Sequence, residues 1–364
     1  MRTVVVGMSG GVDSAVSAYL LKKDGYNVIG LFMRNWDSSI NGEDYHNEGD
    51  ICPQEVDYND AKKVCDMLKI PLYRVDFIKE YWDYVFKYFL DELKKGRTPN
   101  PDMLCNKYIK FDLFKKEALK HGADYVATGH YAKTKDGKLY RAKDQNKDQT
   151  YFLADIKKGV LDNVLFPVGD LTKEEVREIA VKENLAVARK KDSTGICFIG
   201  ERNFQKFIHN YLKENLGDII DVKTKKVVGR HTGLMNYTIG QRRNVGISGN
   251  LEKHFVCGKD VKNNILYVTF GDEEYLYSDE CILENVNFIS DERPTKCTIK
   301  FRYRSEDVPA ELVYLDDNNI LVKYRGRAKS VTPGQAGVIY LGDECLGCGF
   351  IKEVYKNGEK LWYL

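Results

Sequence analysis

The chain has 364 residues, 56 basic against 54 acidic side chains and a formal net charge of +2. That length allows two or three domains, and the balanced charge excludes an overall polycation that would mark a nucleic-acid binder by composition alone. No apolar run approaches the ~20 residues of a membrane helix. Met1-Arg2-Thr3 leads into only Val4-Val5-Val6 before Gly7, too short for a signal-peptide core, so a cytoplasmic protein with no membrane association is expected. The nine cysteines form no dense framework, which reads as mostly buried small thiols with one or two reactive ones.

Taken in order, Thr3–Met8 reads as a strand, Ser14–Asp24 as a helix and Val28–Met33 as a strand. Gln54–Leu68 is helical behind Pro53, a good first-turn residue. Leu72–Asp76 is a strand, Lys79–Lys95 and Asn106–Lys120 are helical, and Tyr125–Thr128 is a strand. This alternation predicts a parallel sheet covered by helices. Between Lys133 and Lys147 six basic residues stand against two acidic ones, read either as a solvated hairpin or as a cationic patch. A further helix spans Leu171–Asn184, with Thr172 and Glu175 spaced as a capping box. After about Gly217 the runs shorten and turn residues multiply. Asn203 to Asp279 reads as a small mixed domain, and Cys281 to Leu364 as several strands forming a barrel or sandwich.

The most informative segment is Gly7-Met8-Ser9-Gly10-Gly11-Val12-Asp13-Ser14, between the first strand and the first helix. Adjacent glycines let backbone amides face an anion, the helix adds its N-terminal amides, and Ser9 and Ser14 add hydroxyls. Asp13 is a candidate to hold magnesium on the phosphates. The alternative is a tight capped turn. Ser-Gly-Gly-x-Asp-Ser resembles the PP-loop of the ATP pyrophosphatase superfamily, whose members split ATP into AMP and pyrophosphate and activate an oxygen by adenylation.

Further segments narrow the resemblance: Leu31-Phe32-Met33-Arg34-Asn35-Trp36, Asn100-Pro101-Asp102-Met103-Leu104-Cys105-Asn106, Ala127-Thr128-Gly129-His130-Tyr131-Ala132 and Lys147-Asp148-Gln149-Thr150-Tyr151-Phe152-Leu153. After them come Ser193-Thr194-Gly195-Ile196-Cys197-Phe198-Ile199-Gly200, Tyr237-Thr238-Ile239-Gly240-Gln241-Arg242-Arg243, Arg302-Tyr303-Arg304 and Pro333-Gly334-Gln335. In this order, over essentially the whole chain, they resemble the bacterial tRNA-specific 2-thiouridylase family. Asn244 and Cys348 stand where that family usually has glycine. Cys348 creates a Cys-x-x-Cys with Cys345, for which a zinc or redox role is the minor reading.

The resemblance implies an α/β fold: an N-terminal Rossmann-like, adenine nucleotide alpha hydrolase-like PP-loop domain over 1–205, a small central mixed domain over 206–279 and a C-terminal β-barrel over 280–364, the last two contacting tRNA. It implies ATP as substrate, with magnesium, and 2-thiolation of the wobble uridine of tRNA-Lys, tRNA-Glu and tRNA-Gln. Gly7, Met8, Ser9, Gly10, Gly11, Val12, Asp13 and Ser14 would hold the phosphates, with Met33 and Gly129 at the adenine or ribose. Asn100, Pro101, Asp102, His130, Lys147, Asp148, Gln149, Arg302, Tyr303 and Gln335 would contact tRNA. Cys197 would carry a persulfide received from a cysteine desulfurase or sulfur-relay protein. Cys105 would resolve it, leaving a Cys105–Cys197 disulfide, with Asp102 as a general acid/base or orienting group.

The residues themselves leave alternatives open. A thiol with pKa ~8.5 needs a positive or amide-rich setting to react near pH 7. Cys197 follows Arg189-Lys190-Lys191, and Cys105 is expected just before a helix. Each is otherwise a buried structural thiol, Asp102 a turn former, His130 a structural histidine, and Arg302 with Tyr303 a surface cation–π pair. Competing functions are a PP-loop ligase acting on a small molecule, an iron–sulfur-dependent tRNA thiolase using Cys105, Cys197 and Asp102 as ligands, and a non-catalytic RNA-binding module.

Overall fold

The computed structural model describes residues 1–37, 53–192, 204–247 and 253–364. The expected parallel sheet is present. Strands β1 (Thr3–Gly7), β2 (Asn27–Arg34), β3 (Leu72–Asp76), β4 (Tyr125–Ala127) and, further on, a two-residue strand Val164–Leu165 pair in the order β3-β2-β1-β4 and then Val164–Leu165, all parallel. The order reverses at β1, since β2 lies on one side of it and β4 on the other. The loop leaving the carboxyl end of β1 thus occupies the crevice where doubly wound sheets bind ligands.

Val4, Val5 and Val6 are fully buried because both faces of the sheet are covered. Val4 and Val6 pack with α1 (Val12–Lys23), α2 (Pro53–Leu68) and Val176 and Ala180 of a later helix. Val5, Leu31 and Met33 face the other layer. That layer holds α3 (Ile78–Tyr81), a π-helical turn at Trp82–Phe86, α4 (Lys87–Lys94), α5 (Pro101–Leu104), a π-helical stretch at Cys105–Leu113 and α6 (Phe114–Lys120).

The helix expected from Asn106 therefore starts earlier, at Pro101. Asn100 caps it, its Oδ1 accepting from the Asp102 amide at 3.1 Å. Proline at the first position fits because its missing N–H would have no helical acceptor there. Cys105 lies inside the helix, and Asp102 takes the amide-rich first turn.

The cationic segment forms the hairpin β5 (Lys133–Lys135) and β6 (Lys138–Tyr140). It leads through α7 (Thr150–Leu153) and β7 (the strand Val164–Leu165) to α8 (Lys173–Lys182). Both halves of the Thr172–Glu175 capping box are made. A short α9 (Phe204–His209) opens the central part, whose sheet has the order β10-β11-β8-β9, with β8 Gly217–Asp221, β9 Val227–His231, β10 His254–Asp260 and β11 Ile265–Phe270.

The remaining strands are β12 (Tyr277–Phe288), β13 (Lys296–Lys300), β14 (Val308–Tyr314), β15 (Ile320–Lys329), β16 (Ala336–Leu341), β17 (Glu344–Lys356) and β18 (Glu359–Lys360). The pairing β12-β15-β14-β13-β16-β17 returns to β12, closing a six-stranded barrel, so the barrel reading holds over the sandwich. Hairpin strand β6 adds to β17 through Tyr140↔Glu344 and Leu139↔Cys345, tying the first part of the chain to the last. Among the described residues no helix is long and apolar enough to cross a membrane.

Candidate active site

The phosphate loop is organised by its own hydroxyls. Ser14 Oγ accepts from the Ser9 amide at 3.2 Å and donates to Gly11 O at 3.1 Å, while Ser9 and Ser14 hydroxyls meet at 3.1 Å. Gly10 has φ +72°, and a Cβ there would collide with the Asp57 carbonyl of α2, so glycine is required twice over. Gly129, just past β4, sits against the first turn of α1: a Cβ would lie 2.7 Å from Ser14 N and 2.8 Å from Asp13 C. The Met33 methyl reaches within 3.7 Å of a Cβ placed at Gly7. Gly7, Met33 and Gly129 are thus brought together around Met8–Ser14.

Asp13 is engaged from within. Its Oδ1 accepts from Tyr131 Oη at 2.8 Å and from Lys173 Nζ at 2.7 Å. The Lys173 ammonium also lies 2.8 Å from Asp192 Oδ1, and Asp192 further holds Lys147 at 2.8 Å and Arg177 at 2.7 Å. Burial works against ionisation of Asp192, but the Lys147 and Lys173 ammoniums outweigh it and hold the carboxyl down at about 2. Three cations over two carboxylates leave this edge net positive, a setting for an anionic ligand. Asp13, read as a candidate to hold magnesium on the phosphates, has its Oδ1 engaged by the Tyr131 and Lys173 donors.

The Pro101–Lys120 helical run starts at the same edge. Asp124, after its end, donates its amide to Thr3 O at the opposite edge of the sheet, so the run descends antiparallel to β1. The Phe114 ring lies 3.5 Å from a Cβ placed at Gly7. Cys105 lies nine residues earlier along the same helical run. Cys105 and Pro101 are buried, Asp102 partly exposed. Cys197, with Ser193–Gly200, lies outside the described residues.

His130 is buried, with Nδ1 at 2.7 Å from Thr128 Oγ1 and Nε2 at 3.4 Å from Lys110 Nζ. Burial first, and the Lys110 ammonium second, hold its pKa well below the ordinary histidine value, so the ring is neutral at pH 7. Lys147 bonds Asp192. Asp148 is buried and accepts from the Ala142 amide and the Thr150 hydroxyl. Gln149 Oε1 accepts from the Tyr131 amide at 2.9 Å. Gln335 Nε2 donates to Thr98 O at 2.6 Å, and Thr98 N donates to Pro333 O at 3.0 Å. The barrel loop therefore braces the segment leading into Asn100. Two residues before Thr98, the Gly96 carbonyl accepts from Lys259 Nζ of β10 at 3.0 Å.

Arg302 is not a surface cation. Its Nη2 donates to Ile239 O at 2.6 Å, Ser330 O at 3.0 Å and Thr332 Oγ1 at 3.0 Å, joining the central part to the barrel. Tyr303 packs on Phe152, ring centroids 4.5 Å apart, with Arg304 5.8 Å over its face. The hairpin cations are largely matched inside the molecule: Lys133 by Asp170, Lys138 by Glu344, Arg141 by Asp307, Lys143 by Glu175 and Lys147 by Asp192. These pairs offset part of the hairpin's charge within the fold. The metal or redox reading of Cys345 and Cys348 fails. Both thiols are buried in the barrel, and burial pushes both pKa values up.

Tyr131, Lys173 and Asp192 escaped the sequence reading. Tyr131 lies inside a quoted segment without a role assigned to it, and Asp192 directly precedes one. Lys173 lay unnamed within the Leu171–Asn184 helix, and nothing in sequence says that α8 points its start at α1.

Residues 2–201 match the family described as "tRNA methyl transferase HUP domain", 205–270 "tRNA methyl transferase PRC-barrel domain" and 278–351 "Aminomethyltransferase beta-barrel domain". The chain is 55% identical over 369 aligned residues, covering 100% of it and 99% of the relative, to the tRNA-specific 2-thiouridylase of Mycoplasmopsis synoviae. It is 54% identical to that of Mycoplasma capricolum, with 98% and 100% covered, and 53% identical to that of Geobacillus thermodenitrificans, with 99% and 97% covered. With every segment of the site present in the described residues or in the sequence beside them, the chain is an enzyme belonging to the tRNA-specific 2-thiouridylase family.

Proposed function

We propose that this enzyme uses ATP to replace the 2-oxygen of the wobble uridine of tRNA-Lys, tRNA-Glu and tRNA-Gln with sulfur. The observation that supports this reading is the Met8–Ser14 loop at the carboxyl end of β1, with Phe114 of the helical run that begins with Asp102 and Cys105 packed against Gly7. The uracil O2 attacks the α-phosphorus of ATP, pyrophosphate leaves, and the N3 proton is lost, with Asp102 as its acceptor. The loop amides and the Lys173 ammonium stabilise the charge developing on the phosphates.

A persulfide on Cys197, loaded by a sulfur-donor protein, then attacks C2 through its outer sulfur, and AMP departs. The Cys105 thiolate attacks Cys197 Sγ, breaking the bond to the outer sulfur, which stays on C2. Cys105 and Cys197 end as a disulfide that a thiol reductant must open before the next turnover. Gly129 and Met33 border the nucleoside, and Asn100, Pro101, His130, Lys147, Asp148, Gln149, Arg302, Tyr303 and Gln335 shape or contact the RNA site. The buried ones among these act by positioning. The reading is tested by incubating enzyme, ATP, magnesium, a persulfide donor and tRNA. Nuclease digestion should yield 2-thiouridine with AMP and pyrophosphate in equal amounts. ADP and phosphate as products would overturn it.

A further inference from the structure

The segment before Thr98, strand β10 with the turn after it, and the barrel meet around an open cavity of about 430 Å³. Its walls include none of Met8–Ser14, Lys173 or Asp192. Five cationic side chains line it, Lys95, Arg97, Lys259, Lys262 and Lys352, with one acidic side chain, Asp260. Asp260 is engaged in its own turn, accepting from the amide and the Nδ2 of Asn263 at 3.0 and 2.7 Å. Glu92 and Glu284, outside the lining, pair with Lys95 and Arg97, and Glu284 lies 3.9 Å from Lys352. Five cations against these three carboxylates leave the cavity positive.

Lys259 stands apart from the others. Among the described residues its ammonium meets no carboxylate, and it donates to the Gly96 carbonyl at 3.0 Å. The residue is partly exposed at the cavity wall, yet protein surrounds the ammonium closely enough to hold its pKa down at about 7. A desolvated cation is ordinarily paired with an anion. Lys262 and Lys352 are exposed at the rim, so an anion reaches Lys259 from solvent.

We propose that this cavity binds a phosphate group on Lys259, Lys262 and Lys352, as a second anion site apart from the phosphate loop. A phosphate supplies both the charge and the several acceptor oxygens that three ammoniums call for. It comes either from an RNA backbone or from free inorganic phosphate. Ile239 and Pro333 of the wall adjoin the exposed Arg242–Arg243 segment and Gln335, which favours the backbone. The site does not depend on the sulfur chemistry proposed above.

The test first fills the phosphate loop with a non-hydrolysable ATP analogue, so that only other anion sites respond. One arm measures the salt dependence of tRNA binding by wild-type enzyme and by Lys259→Met, which keeps the stem and removes the charge. The variant should lower the log–log slope by about 0.7–0.9 and raise the Kd by about threefold or more. The second arm measures the thermal midpoint with added inorganic phosphate at constant ionic strength. A change in the first arm assigns the site to RNA, and a change in the second alone assigns it to free phosphate. The double variant Lys262→Ala, Lys352→Ala serves if Lys259→Met does not fold. An unchanged slope together with an unchanged phosphate response in a folded variant overturns the proposal. So does a weakened affinity for the ATP analogue, which would merge this cavity with the phosphate loop.

Discussion

The ammonium of Lys173 lies 2.7 Å from Asp13 Oδ1 and 2.8 Å from Asp192 Oδ1, joining the first residue of α8 to the phosphate loop and to the root of the Cys197 segment. Replacing it with methionine keeps the stem and removes the charge, leaving two carboxylates facing each other. Lys173→Met should cost about 1–3 kcal/mol of stability, the range for a lost charged hydrogen bond, and raise the Kd for ATP by about tenfold or more. Calorimetric titration with ATP checks it. An unchanged Kd would remove Lys173 from the nucleotide site.

His130 and His231 both have pKa values lowered chiefly by burial. A histidine depressed in the folded state adds stability that is complete above its unfolded pKa of about 6.5, and that is lost as pH falls toward the folded value. Thermal midpoints should therefore drop as pH goes from 7 to 5, and His130→Asn should make the decline shallower. An equal or steeper decline in the variant would show that His130 does not bury a neutral ring.

Gln335 bonds Thr98 O at 2.6 Å, two residues before Asn100. A side chain that served only to touch RNA could be removed without harming the RNA-free enzyme. We expect Gln335→Leu to lose about 1–3 kcal/mol in denaturant unfolding without RNA, because the Thr98 carbonyl is left unpaired. It should also slow turnover by misplacing the Asn100–Cys105 strap. A stable, slow variant with a raised KM for tRNA alone would instead make Gln335 a direct RNA contact.

Salt dependence separates internal from external cations. Arg302, Lys138 and Lys143 are bonded within the protein, whereas Arg242, Arg243 and Arg304 are exposed. If the exposed arginines meet phosphates, each contributes about 0.7–0.9 to the log–log salt slope of tRNA binding. Replacing Arg242 and Arg243 by alanine should then lower the slope by roughly 1.5, while Lys143→Ala leaves it unchanged. A larger change for Lys143 would return the hairpin to the RNA interface.

The sequence was most legible where a local rule suffices. The Ser9–Ser14 turn, the Thr172–Glu175 capping box and the strand Leu72–Asp76 depend on residues a few positions apart. The cap and turn reading was given to Asp102, whereas Asn100 is the cap, because Pro101 opens the helix one residue earlier than the reading allowed. What could not be read were pairings over long separations. Lys138 meets Glu344 and Arg141 meets Asp307, and composition gives no hint that a cation-rich hairpin closes onto a barrel strand some 200 residues later. The role of Arg302 was missed for the same reason: its three acceptors belong to segments that only tertiary folding assembles.

The central claim is that Cys197 carries the sulfur and Cys105 releases it. Its most direct test is the intact mass, followed by peptide mapping, of enzyme treated with a persulfide donor. Cys105→Ser should gain one sulfur at residue 197 and fail to yield 2-thiouridine when ATP and tRNA are added, whereas Cys197→Ser should gain none. A sulfur adduct on residue 105 in the Cys197→Ser protein, or full thiolation activity in either variant, would contradict the account.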